Sequence, residues 1–108
     1  MALAEACYPL TQSFPKDEMF GMTAQIRRAA ASVPANIAEG HGREQTRSFV
    51  RFLRVAQGSL KEVETHILLS QRVGLATAEE IRLPREQCET VGKMLRALIR
   101  SLQQKAVD

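Results

Sequence analysis

Apolar residues recur every three or four positions along almost the whole chain. No stretch keeps a two-residue alternation, and no Asn-Gly or Asp-Gly pair marks a hairpin. The pattern therefore predicts helices and no sheet. Over 2–12, Leu3, Ala6, Cys7 and Leu10 share one side, with Pro9 interrupting. Pro15, followed by Asp17 and Glu18, has the composition of a helix first turn. From there Met19, Met22, Ile26, Ala29, Val33 and Ile37 form a heptad-like seam, which predicts a second helix over 15–39. Pro34 lies inside that seam and removes an amide donor, so a kink is expected there. Gly40 in Gly40-His41-Gly42 is the expected left-handed cap.

A third helix is predicted over 44–73. Phe49, Leu53, Ala56, Leu60, Val63, Ile67 and Ser70 make one seam, and Phe52, Val55, Ser59, Glu62, His66, Leu69 and Val73 a flanking one. Two seams imply two helical neighbours. Gly58 lies in the middle of this helix at a cost of about 1 kcal/mol relative to Ala, so close approach by another helix backbone is expected there. Gly74 is the expected stop. Thr77-Ala78-Glu79-Glu80 reads as a capping box opening a fourth helix over 78–105, with Ile81, Pro84, Cys88, Val91, Leu95, Leu98 and Leu102 in register. Pro84 predicts a bend or a later start. Short connections predict antiparallel neighbours. The expected architecture is all-α, an up-down-up-down left-handed antiparallel four-helix bundle in one domain, 1–108.

Composition sharpens this picture in three ways. Aromatics make up only 5% of the 108 residues and Trp is absent, so the core must be aliphatic, with Met19, Met22 and Met94 as core fillers. Cys7 and Cys88 lie in helical patterns without a pairing motif and read as reduced, packed thiols. The net charge of +3 permits acidic or nucleic-acid partners without requiring them. The first residues lack a basic, long apolar leader, and no apolar run is long enough to span a bilayer. The expected compartment is the cytoplasm, with no membrane role.

No catalytic, cofactor or metal site is expected. His66 lies four residues from Glu62, where a di-iron bundle needs three, and His41 is a loop residue between glycines. Ser13-Phe14-Pro15-Lys16 has the bare Ser-x-x-Lys spacing without its companion motifs, and Gly40-x-Gly42 lacks the residues of a phosphate loop. The main candidates are basic. Arg43, Arg47, Arg51 and Arg54 fall within an arc of about 80° on the third helix, opposite its main seam. Lys93, Arg96, Arg100 and Lys105 follow on the fourth, with no acid after Glu89 until Asp108. Such rows suit a phosphate backbone, and the competing reading is an ordinary solvated face. Arg28 and Asn36, placed near the apolar face, are expected to join Glu39, Glu62 and Glu64 in a structural polar network at the second corner or a subunit interface. Phe20, with Tyr8 or Leu75, is a candidate subunit contact.

Phe14-Pro15-Lys16-Asp17-Glu18, Gln25-Ile26-Arg27-Arg28-Ala29 and Ser32-Val33-Pro34-Ala35-Asn36-Ile37-Ala38-Glu39-Gly40, with Phe49-Val50-Arg51-Phe52-Leu53, Ala56-Gln57-Gly58-Ser59-Leu60 and Glu62-Val63-Glu64-Thr65, resemble the four-helix-bundle family of 23S rRNA intervening-sequence proteins. The chain departs at its N-terminus, where the family usually has a longer first helix. The resemblance implies a small bacterial cytosolic protein, a ring-shaped homopentamer and no enzymatic activity. It also implies kinship with the accessory protein of diversity-generating retroelements, whose partners are a reverse transcriptase and nucleic acid. The expected function is therefore a non-enzymatic oligomer that binds RNA, DNA or a ribonucleoprotein partner through basic helix faces, with no small-molecule substrate. The alternative is a protein-interaction scaffold with no nucleic-acid role.

Overall fold

The computed structural model describes residues 2–107, with side chains for 2–105. Four α-helices surround an aliphatic core: α1 (Ala2–Gln12), α2 (Met22–His41), α3 (Thr46–Arg72) and α4 (Ala78–Val107). Among the described residues there is no strand. Consecutive helices pack on one another, and α1 closes the circuit on α4. Among the described residues, neither α1 with α3 nor α2 with α4 packs across the diagonal. The result is an all-α four-helix bundle. Gly40 lies against Phe49 and Phe52, while Ser32 bonds to Ser59, so α2 and α3 pair in opposite chain directions.

The aliphatic seams account for this core. Leu3, Cys7 and Leu10 of α1 are buried. They meet Ile26, Ala29, Ala30 and Val33 of α2, Leu53, Ala56, Leu60, Val63 and Ile67 of α3, and Ile81, Cys88, Val91, Leu95 and Ile99 of α4. Each fully buried large aliphatic side chain contributes about 1.5–3 kcal/mol. Ser70 enters the core with its hydroxyl donated to the His66 carbonyl at 2.8 Å, which satisfies the polar atom. The flanking seam of α3 is shallower than its spacing suggests. Phe52, Ser59 and His66 are half-buried, whereas Val55, Glu62, Leu69 and Val73 face solvent.

The second helix starts later than Pro15. Lys16–Glu18 form one 3₁₀ turn, and Gly21 then leaves helical geometry at φ −102°, ψ −111°. A Glu18 carboxylate oxygen accepts the Met22 amide at 3.3 Å at the head of α2. This break rotates the preceding residues out of the seam, so Met19 is 53% and Phe20 92% exposed. Met94, also expected inside, is largely exposed. The helix then runs unbroken through Pro34 to His41, and α4 likewise runs through Pro84 from Ala78.

Two glycines play parts other than those expected. Gly40 is helical and buried, not a left-handed cap. Gly58, expected beneath a neighbouring backbone, has no atom within 4 Å of a Cβ built on it. Gly74 does cap α3, at φ +84°, the one positive φ among the described residues. The Leu75 amide then reaches back to the Ser70 carbonyl at 2.9 Å. The Thr77 box forms as the sequence predicts: Glu80 N–H donates to Thr77 Oγ1 at 3.1 Å, and Thr77 N–H to Glu80 Oε1 at 2.9 Å.

Candidate nucleic-acid interface

The basic side chains divide into paired and unpaired sets. Arg43 precedes α3 instead of joining its stripe, because the helix begins only at Thr46. Its guanidinium turns back to Glu39 at 2.6 Å and lies 4.9 Å from the centre of the Phe52 ring. Lys93 pairs with Glu89 one turn earlier, at 3.6 Å. Arg47, Arg51, Arg54, Arg96 and Arg100 are exposed, and among the described residues none meets a carboxylate. Arg54 donates to the Gln57 amide oxygen at 3.3 Å. Asp108, the next acid after Glu89, lies outside the described residues.

Helical geometry explains this arrangement. Arg47, Arg51 and Arg54 fall within an arc of about 60° on α3, opposite Leu53, Ala56 and Leu60. No acid lies between Glu44 and Glu62 in the sequence, so Arg51 and Arg54 have no carboxylate one turn away, and Glu44, three residues before Arg47, precedes the helix. On α4 the one-turn partner of Lys93 is Glu89, while Arg96 and Arg100 have no acid at that spacing.

Within one chain the expected polar network does not assemble among the described residues. Arg28 and Glu62 are exposed, and among the described residues no hydrogen bond or ion pair joins Arg28, Glu62 or Glu64 to Asn36 or Glu39. Asn36 instead donates to the Ser32 carbonyl at 2.8 Å and to Ser32 Oγ at 2.9 Å. The Ser32 and Ser59 hydroxyls meet at 2.8 Å, linking α2 to α3. The corner itself is held by aromatic packing. Gly40 sits against Phe49 and Phe52, and His41 meets Phe49 edge-on at 5.9 Å. Arg27 ties α1 to α2, donating through Nε to Thr11 Oγ1 at 2.9 Å with its guanidinium 4.6 Å over Tyr8.

An open groove of about 1030 Å³ runs between α3 and α4. Near the connection of the two helices it is lined by Leu68, Ala78, Glu79 and Arg82. Arg82 there is held by Glu79 at 3.1 Å and Glu86 at 3.7 Å. At the far end the lining is Gln57, Gly58, Lys61, Gly92 and Arg96. Sequence reading missed the groove, since only packing shows which outer residues of two helices become neighbours. Both cysteines are buried and unpaired. Burial pushes the Cys7 thiol up to about 11. Burial, with Glu64 and Cys7 adding to it and Arg85 opposing, pushes Cys88 up to about 12. Neither is a ready nucleophile. Among the described residues no three His, Cys, Asp or Glu side chains gather as metal ligands, and no helix is long and apolar enough to cross a membrane.

Over residues 1–97 the chain matches the family described as 23S rRNA-intervening sequence protein. No curated protein sequence matches it. Among solved structures it is similar to the crystal structure of a protein with unknown function from the S23 ribosomal protein family of Bacteroides thetaiotaomicron VPI-5482. The TM-score is 0.82 at 24% sequence identity, over 90% of this chain and 91% of that one. At that identity the likeness is one of fold.

Proposed function

The chain belongs to the 23S rRNA-intervening sequence protein family, and from that premise we propose that it is a non-enzymatic, oligomeric bundle that binds nucleic acid, or a ribonucleoprotein partner such as a reverse transcriptase with its RNA, through the basic faces of α3 and α4. The observation that carries this reading is the row Arg47, Arg51 and Arg54, exposed and without a carboxylate partner among the described residues, continued on α4 by Arg96 and Arg100. Unneutralised guanidinium groups on rigid helices attract phosphate by charge and bind it through their fork of donors. Recognition is of backbone and shape, since among the described residues no exposed row of aromatic rings offers bases a stacking platform. The paired Arg43 and Lys93 make smaller contributions.

Assembly into a homo-oligomer, a pentameric ring by family resemblance, repeats these rows around an axis and strengthens their field. The exposed Phe20 and Met19 support a protein contact. Two unpaired buried thiols accord with a reducing cytoplasm. A scaffold with no nucleic-acid role is the second reading, favoured by the same exposed Phe20.

Fluorescence anisotropy with labelled RNA and DNA separates the two. Under the first reading, affinity falls steeply as salt rises, and Arg47→Glu with Arg51→Glu abolishes binding while the thermal midpoint holds. Absence of binding at low salt leaves the scaffold.

A further inference from the structure

The groove between α3 and α4 is unevenly charged. Toward the helix connection its cations are interleaved with Glu64, Glu79, Glu86 and Glu89. At the opposite end the lining cations are Lys61, one turn beyond Glu64, and Arg96, two turns beyond Glu89, and Arg54 hydrogen-bonds the lining residue Gln57. Two helix-interior glycines, Gly58 and Gly92, lie at that same end. A Cβ on Gly58 would meet nothing within 4 Å, so nothing inside the chain requires a glycine there. A Cβ on Gly92 would come within 3.3 Å of Arg96 Nη1 and 3.5 Å of Leu60 Cδ2. The missing side chain thus lets the Arg96 guanidinium fold down across the floor of the groove.

We propose that this end of the groove seats a phosphodiester of the nucleic-acid backbone, bracketed by Arg54 and Lys61 from α3 and Arg96 from α4. Gly58 is side-chain-free so that the sugar-phosphate chain can approach the α3 backbone, and Gly92 sets the position of Arg96. The inference rests on the nucleic-acid reading above and adds to it a particular seat. One seat fed by two helices differs from a row on one face, because its cations converge on a single anion and its floor limits what can enter. Bulk at Gly58 therefore blocks the ligand without changing any charge.

The test measures anisotropy of a fluorescein-labelled single-stranded RNA against the wild-type protein and Gly58→Leu, Gly58→Ala, Gly92→Ala, Arg96→Gln and Arg28→Gln, with thermal melts of each. Arg96→Gln is expected to weaken binding about fourfold near physiological salt and to lower the salt slope by about 0.7, the loss of one phosphate contact. Gly58→Leu weakens binding at least as much, with the smaller Gly58→Ala between it and the wild type, and neither melts lower than the wild type. Gly92→Ala weakens binding by displacing Arg96 and has no effect in the Arg96→Gln background. Arg28→Gln, on another face, changes little. If the wild type binds and Arg47→Glu with Arg51→Glu does not, but Gly58→Leu and Arg96→Gln bind like the wild type, the seat is overturned and the broader reading stands. If the wild type fails to bind at low salt, both fall.

Discussion

A Cβ built on Gly40 would stand 2.8 Å from the Cβ of Phe52. Carbon atoms do not approach so closely, and Phe52 Cβ is fixed by the α3 backbone, so any side chain at Gly40 must push α2 and α3 apart. Gly40→Ala is therefore expected to lose about 1–3 kcal/mol, the usual cost of overpacking. Gly58→Ala should gain up to about 1 kcal/mol, because its Cβ enters open space and helix propensity improves. Urea titrations of the two variants should move in opposite directions. Equal shifts of the same sign would refute this account of the pair.

The reciprocal bonds of Thr77 and Glu80 at the head of α4 satisfy amides that otherwise have no helical partner. Thr77→Ala should cost about 1 kcal/mol. Glu80→Ala should cost less, and the double variant should fall short of the sum. A double-mutant cycle by thermal denaturation measures the coupling.

Cys7 and Cys88 keep their protons in the folded protein up to about 11 and 12, whereas unfolded thiols titrate near 9. Above pH 9 the unfolded chain releases protons that the folded one holds, so the thiols favour unfolding as pH rises. Their contribution to stability is complete below pH 9 and is lost as pH climbs through the folded values. The melting midpoint should fall between pH 9 and 11, and the slope should flatten in Cys88→Ala. Ellman's reagent at pH 8 should react with neither thiol until urea unfolds the chain.

Phe20 is 92% exposed and, in the proposed oligomer, is covered by another copy. Phe20→Ser should lower the mass seen by light scattering at micromolar concentration while leaving the fold's far-ultraviolet dichroism intact. An unchanged mass would remove Phe20 from the contact.

The helices were legible because their signal is local. Leu53, Ala56, Leu60, Val63 and Ile67 announce a buried stripe by spacing alone, and Thr77 with Glu80 announces a cap. What the glycines do was not legible. Gly40 and Gly58 look alike in sequence, yet Phe52 stands against one and nothing against the other. The Met19 seam misled for a related reason: the turn before Gly21 changes phase without disturbing the count of apolar residues. In the candidate interface, the exposure of Arg47, Arg51 and Arg54 followed from their angle on the helix. The pairing of Arg43 was not legible, because the boundary at Thr46 put it in the connection, within reach of Glu39. The groove seat combines residues more than thirty positions apart, beyond the reach of any local pattern.

The unequal lengths of the helices have a dynamic consequence. α1 is 11 residues long against 30 for α4, or about 16 Å against about 45 Å at 1.5 Å per residue. Among the described helices α1 therefore runs beside only part of α4, and among the described side chains of α4 none is fully buried after Ile99. Backbone amides around Cys88 and Leu95 should exchange with deuterium only when the whole molecule opens, while those past Leu102 exchange by fraying. The buried row of α4 should thus be its slow-exchanging part, and the stretch past Leu102 its fast one.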